Sequence, residues 1–215
     1  MVKRKIVLIG GGGHCKVVIS ILKKLDNFKI TGIVDNYKVE SFVSGINIIG
    51  TDDDLKAIYQ NGTQYTLITV GSVKDNTKRR KLFDMVKESG FKFPTIISPE
   101  AIVDKSVKID EGTVVMQGSI INIDSSIGKN CIINTGAIIE HDCKMGDHCH
   151  IAPGVHISGV VKIGELSFIG VGATIIQGIK IGKNVTIGAG SVVIKDIPDN
   201  VIAVGNPAKI IKNKK

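Results

Sequence analysis

The sequence predicts a small α/β domain with a parallel sheet, followed by a parallel β-helix. Three observations carry this. Strand-like and helix-like apolar runs alternate up to residue 90. From Val103 to Val193 an aliphatic residue or Met145 recurs at every sixth position, sixteen times without a slip. Eight of the nine aromatic residues precede Pro94, and only Phe168 follows it. The expected division is 1–94 and 95–215.

In the first part, KIVLIG (5–10) is a buried strand that runs into a Gly-rich turn. KVVISILKKL (16–25) has apolar residues at helical spacing, and ITGIVD (30–35) is a second strand. Thr51 is a good N-cap, and Asp52, Asp53 and Asp54 suit the first turn of a helix through Tyr59. YTLITVG (65–71) is a third strand and NTKRRKLFDMVKESG (76–90) a third helix. This order implies a parallel, Rossmann-like sheet with helices on its faces.

In the second part, the residue two places before each sixth-position aliphatic is usually small or β-branched, as at Ser119, Cys131, Ala137, Cys143, Cys149 and Ser191. Resemblance to hexapeptide-repeat proteins implies a left-handed triangular prism with three hexads per coil. The repeat then makes about five coils, with no loop inserted.

Composition narrows the function. The net charge is +8, which suits anionic ligands. The lysines are spread along the sequence without interleaved aromatics, so a nucleic-acid partner is disfavoured. The tail KNKK (Lys212 to Lys215) is most simply a solvated end. The first apolar run stops at Gly10, too short for a signal peptide, and no run approaches the ~18 apolar residues of a membrane span. Four cysteines without a disulfide-like framework point to a reducing cytoplasm.

The stretch GAIIEHDCKMGDHCHIAPG (136–154) concentrates histidines and cysteines. The repeat decides their direction. Cys131, Cys143 and Cys149 share the small inward position, where a thiol behaves as a small hydrophobe. Inward thiols and outward imidazoles do not converge on one tetrahedral ion, so no metal is expected. His148 reads as surface decoration. His141 stands two places after an inward Ile, on the outside, followed by Asp142. One coil on, eighteen residues later and about 4.8 Å away, is Gly159. A base, an acid to orient it and a bare N–H are the parts an acyl transfer requires.

The run NTGAIIEHDCKMGDHCHIAPGVHISGVVKIG (134–164) resembles the active-site coils of the nucleotide-sugar N-acetyltransferases of bacterial glycan synthesis, with the sialic acid O-acetyltransferases as close relatives. The resemblance extends from GGGGHCKVV (10–18) through GIVDN (32–36) and ISPEAIV (97–103) to IGAGSVVIKDIPDNVIAVGNPAKII (187–211). It implies that His141 is the general base, that Asp142 raises its basicity, and that Gly159 offers its N–H to the thioester oxygen. It implies that His150 touches acetyl-coenzyme A, with Val171, Gly172, Ala173 and Ala189 further along the cofactor groove. It also implies a homotrimer with each active site between two prisms. The chemistry expected is direct acetyl transfer to the amine of a UDP- or GDP-linked amino sugar. Acetylation of a sugar hydroxyl, a non-catalytic trimeric scaffold and a charge-driven nucleic-acid binder stay open as alternatives.

GGGGHC (10–15) follows a strand and opens a helix, where phosphates bind. It nearly satisfies G-x-G-x-x-G, but Cys15 stands where the last Gly belongs, so a dinucleotide reading is weak. The resemblance implies instead that Gly12, Gly13 and His14 cradle a nucleotide-sugar. Asp35 and Asn36 would read its base or ribose, Gly71 would let it approach the backbone, and Asn134 would contact the sugar.

Overall fold

A computed structural model gives the architecture and describes residues 3–37, 41–72 and 75–214. Lys215, the last residue of the expected solvated tail, lies outside these.

The first part is a five-stranded sheet. Its strands are β1 (Arg4–Ile9), β2 (Phe28–Val34), β3 (Phe42–Val43), β4 (Ile46–Gly50) and β5 (Tyr65–Ile68), in the order β3-β4-β2-β1-β5. The β1, β2 and β5 pairings are parallel, as expected. The helices are α1 (Gly13–Leu25), α2 (Leu55–Gln60) and α3 (Thr77–Glu88). A 3₁₀ turn, Asp52–Asp54, precedes α2, and Thr51 and Asp54 close a capping box around it. Alternation along β1 explains the layering. Ile6 and Leu8 pack with Val18, Ile19 and Leu22 of α1, whereas Val7 and Ile9 pack with Leu55, Phe83 and Val86 on the α2–α3 side.

One element was not expected. β3 and β4 form an antiparallel hairpin, and β4 joins β2 in parallel. Its turn is Ser44–Gly45, both at positive φ, which a Ser-Gly pair supports.

The second part is a left-handed β-helix, each coil closing after three two-residue strands. Residues eighteen apart stack in register, such as Ile121 on Ile139 and Ile133 on Ile151. Every sixth-position residue from Val115 to Val193 is buried, and the first two, Val103 and Ile109, are half-buried at the open lower end. At the upper end Lys209–Asn213 pairs antiparallel with Val201–Val204. The expected free tail is therefore a strand through Asn213, and Lys214 donates to Asn184 Oδ1 at 3.1 Å. The main chain of a closing strand takes the otherwise unpaired edge of the last coil.

The two parts share a core. Ile96, Val114, Met116 and Ile132 on one prism face pack into the same cluster as α1. Beside it, Arg79 of α3 is fully buried. It donates from Nη1 to the Ile68 and Val70 carbonyls at 2.8 and 2.7 Å, and from Nη2 to Oδ1 of Asn130 at 2.7 Å. Asn76 donates to the Ser167 carbonyl at 3.0 Å. These bonds fix the end of β5 and the start of α3 against the prism.

Candidate active site

A cavity of about 440 Å³ opens at the carboxyl ends of β1, β2 and β5. Six of the seven residues expected to hold substrate line it: Gly12, Gly13, His14, Asp35, Asn36 and Gly71. The turn has a physical reason for its glycine. Gly10 has φ +100°, and a Cβ there would collide with Val70. Asp35 follows β2 and ties the turn down, accepting from Gly11 N–H at 2.7 Å and from Tyr37 N–H at 2.9 Å. Cys15, where the fingerprint glycine is missing, is buried on the core side of α1. The departure is a packing choice within the helix. Tyr37, Asp52 and Lys78 also line the cavity. Sequence reasoning missed them because no motif marks them; they meet there only once α2 and α3 are in place.

A second cavity of about 260 Å³ shares Gly13, His14 and Gly71 with the first and adds Ser72, Met116, Asn134 and His150. It runs from the nucleotide-type turn onto the prism. Here His150 is buried between the two parts, and its Nδ1–H donates to the Ser72 carbonyl at 2.8 Å. That leaves Nε2 as an acceptor, 3.2 Å from Asn134 Nδ2. Burial, against the hydrogen bond to Ser72 and with the nearby Arg79 charge, pushes the His150 pKa down to about 4. His14 Nε2 is buried with no hydrogen-bond partner. Burial, then the charges of Arg79 and His150, holds His14 well below the usual histidine range. Both imidazoles at this junction are neutral.

His148 corrects an expectation. It is buried, not surface decoration: its ring meets Phe83 edge-on at 5.6 Å and Nδ1 lies 3.0 Å from Asn130 Nδ2. Its prism corner points at α3, which the repeat pattern by itself does not reveal.

The third constellation sits at another corner. His141 and Asp142 form the turn after Ile138–Ile139, and Nδ1–H of His141 donates to Asp142 Oδ2 at 2.8 Å. Nε2 is therefore the free lone pair. A Cβ on Gly159 would lie 2.5 Å from that Nε2. The imidazole is seated against the glycine backbone, and any side chain there would expel it. Gly159 N–H has no acceptor among the described residues. A proton acceptor and an unused N–H donor thus stand side by side, as acyl transfer requires.

His141, Asp142 and Gly159 line neither cavity. The structure of one chain brings His141, Asp142 and Gly159 together, and the residues expected to hold the substrate together, but not the two sets. Val171 and Gly172 form one exposed prism turn and Ala189 the turn above it, two and three coils beyond Thr135–Gly136. Ala173, the fourth residue expected on the cofactor side, follows Gly172. Its side chain is buried in the prism, its N–H donates to Gly170, and its carbonyl accepts from His156.

The thiols point inward as the repeat requires. Cys131, Cys143 and Cys149 donate to the carbonyls of Gly146, Ser158 and Gly164. Burial raises the pKa of Cys143 and, more strongly, of Cys149. Neither is a ready nucleophile.

The left-handed prism of six-residue repeats places the chain among the hexapeptide-repeat transferases. Residues 5–86 match the PglD N-terminal domain, and residues 124–159 and 161–195 match the bacterial transferase hexapeptide (six repeats). PerB from Caulobacter crescentus, in complex with CoA and GDP-perosamine, is 41% identical and superimposes with a TM-score of 0.91 over 97% of both chains. The acetyltransferase domain of PglB from Neisseria gonorrhoeae FA1090, in complex with acetyl coenzyme A, is 36% identical with a TM-score of 0.91, over 98% of this chain and all of that one. UDP-N-acetylbacillosamine N-acetyltransferase of Bacillus subtilis (strain 168) is 36% identical over 113 residues, and the chain spans about half (51%) of that relative's length. The chain belongs to this family of hexapeptide-repeat N-acetyltransferases with a PglD-type N-terminal domain.

Proposed function

We propose that this chain is an acetyl-coenzyme A-dependent N-acetyltransferase acting on the amino group of a nucleotide-linked amino sugar, in the cytoplasm, in the building of a bacterial glycan. The observation that carries the reading is the His141–Asp142–Gly159 corner. The glycine is required to seat the base, and its own N–H is unused. Residues 1–94 hold the nucleotide and residues 95–215 carry the chemistry.

Acetyl-coenzyme A supplies the acetyl group as an activated thioester. Asp142 accepts the Nδ1–H of His141 and so fixes the tautomer whose lone pair is on Nε2. Nε2 takes a proton from the sugar amine as that amine attacks the thioester carbonyl; the C–S bond then breaks, and coenzyme A leaves as the thiol with the proton returned from Nε2. Gly159 N–H donates to the oxygen that gains charge. The inward, high-pKa thiols support direct transfer with no acetyl-enzyme.

Both substrates are polyanions, which suits the +8 charge. His150, Val171, Gly172 and Ala189 are the cofactor side of the site, and Asn134 the sugar side. The separation of the base from the cavities within one chain supports a homotrimer, in which one prism's corner faces the neighbour's cavities.

The test is thiol release from acetyl-coenzyme A with a panel of UDP- and GDP-linked amino sugars. We expect release with at least one of them and none with the matching hydroxy sugars. Release with no amino sugar, or equal release with hydroxy sugars, sinks the reading.

A further inference from the structure

We propose that Asp52 reads the nucleobase and selects guanine, so that the sugar is carried on a guanosine diphosphate. This rests on the nucleotide-sugar reading above and names its nucleotide. The side chains beside the end of β2 differ in how much of their hydrogen-bonding capacity is already used. Asp35 accepts one backbone N–H on each oxygen, from Gly11 and from Tyr37, so it has no oxygen without a hydrogen bond. Asn36 is engaged by Asp52 in both directions. Its Nδ2–H donates to Asp52 Oδ2 at 2.7 Å, and its Oδ1 accepts Asp52 N–H at 2.9 Å. The amide expected to read the base is therefore a clamp that aims a carboxylate. Oδ1 of Asp52 accepts no hydrogen bond from the described residues, and Asp52 lines the 440 Å³ cavity. Tyr37, 86% exposed, offers a ring face at the same rim, with Lys78 Nζ 5.2 Å from its centroid.

A carboxylate only accepts hydrogen bonds, through two oxygens side by side. Guanine is the base that presents two adjacent donors, N1–H and the 2-amino group. Uracil presents one donor, N3–H, between two carbonyl oxygens that a carboxylate repels. Adenine and cytosine each set a ring-nitrogen acceptor beside their amino group. Oδ2 keeps a second lone pair after Asn36, so Asp52 can accept both guanine donors. A ring on Tyr37 and a paired edge on Asp52 would leave the diphosphate to Gly12 and Gly13 at the start of α1, where backbone N–H groups favour anions.

The experiment is calorimetric titration of the full chain with GDP, UDP and 2′-deoxy-GDP, repeated on Asp52→Asn. Wild type is expected to bind GDP about 10- to 100-fold tighter than UDP and to bind 2′-deoxy-GDP as GDP. An amide at position 52 carries one donor and one acceptor, which matches the uracil edge and mismatches the N1–H and 2-amino pair of guanine. GDP binding should fall about 10- to 150-fold while UDP binding holds or improves. A purely structural role of Asp52 cannot move the two nucleotides in opposite senses. Wild-type binding of UDP as tight as GDP overturns the proposal, whether or not the variant folds. So does an equal loss of both nucleotides in the variant with weak 2′-deoxy-GDP binding, the mark of a ribose contact. If neither nucleotide binds wild type, the nucleotide-sugar reading fails, and this proposal with it.

Discussion

At the scale of single residues, the corner base gives two linked predictions. His141→Ala should lower turnover about 10²- to 10⁴-fold, the usual worth of a general base. The melting temperature should hold, because the side chain is half exposed. Gly159→Ala should cost nearly as much while leaving His141 present, since the added methyl occupies the imidazole's seat. Turnover of either variant is the check, and a fully active Gly159→Ala enzyme would show that the ring need not sit there. Asp35 behaves differently. Its carboxylate holds two backbone N–H groups of the nucleotide-type turn. Asp35→Ala should raise KM for the nucleotide-sugar and lower the melting temperature together, with KM for acetyl-coenzyme A unchanged. Steady-state kinetics and a melt on one preparation test this. His141, Asp142 and Gly159 were legible in the sequence because stacking at a fixed eighteen-residue interval turns spacing into proximity. Asp52 and Lys78 were not, because nothing local to their helices points at the cavity.

At the scale of elements, the junction between the sheet and the prism is held by buried polar groups. Arg79→Met leaves the carbonyls of Ile68, Val70 and Asn130 without their donor. At roughly 1–3 kcal/mol for each stranded group, the loss should be about 3 kcal/mol or more. Denaturant unfolding at fixed pH measures it. The neutral histidines at the same junction set a pH dependence. The folded pKa of His150 is depressed from 6.5 to about 4, so the unfolded chain binds its proton first. Stability is full above about pH 6.5 and falls as pH drops toward 4, by roughly 3 kcal/mol for this group. His14 and His148 shift in the same direction. Unfolding free energies at pH 7.5 and 5 should differ, and His150→Gln should flatten the slope. The prism strands were readable from periodicity, since an inward aliphatic every sixth residue admits no other coil. The β3–β4 hairpin was not, because Phe42–Val43 is too short to show alternation and only Ser44–Gly45 marks the turn. The junction was also hidden, because it pairs residues dozens of positions apart with no repeat between them.

At the scale of the whole molecule, the prism presents unlike faces, and their difference says which one associates. Lys108, Lys144, Lys162 and Lys180 occupy outward positions of one face, and the last three stack in register. The lysines are scattered in sequence yet collected in space, and stacked like charges resist burial against another protein surface. The neighbouring face carries Ile102, Ile120 and Ile138 outward over its lower coils, then His156 and Thr174, then Val192, flanked by Ile176 and Ile194. Ile102 is 67% exposed and Ile194 43%. A flat apolar face of this kind seeks a partner. It adjoins the His141 corner, so a second prism packed on it would bring a neighbour's cavities toward the base. Sedimentation at micromolar concentration should therefore give three copies. Ile138→Lys should release monomers, because a charge in the middle of that face cannot be buried unpaired without large cost. The coil itself should survive, since Ile138 points outward and Ile139 supplies the core. The released monomer should also lose acetyl transfer, although His141, Asp142 and Gly159 are untouched. A wild-type monomer with full activity would mean that one chain completes the site alone, and that the base reaches its own cavities by a movement of the sheet against the prism.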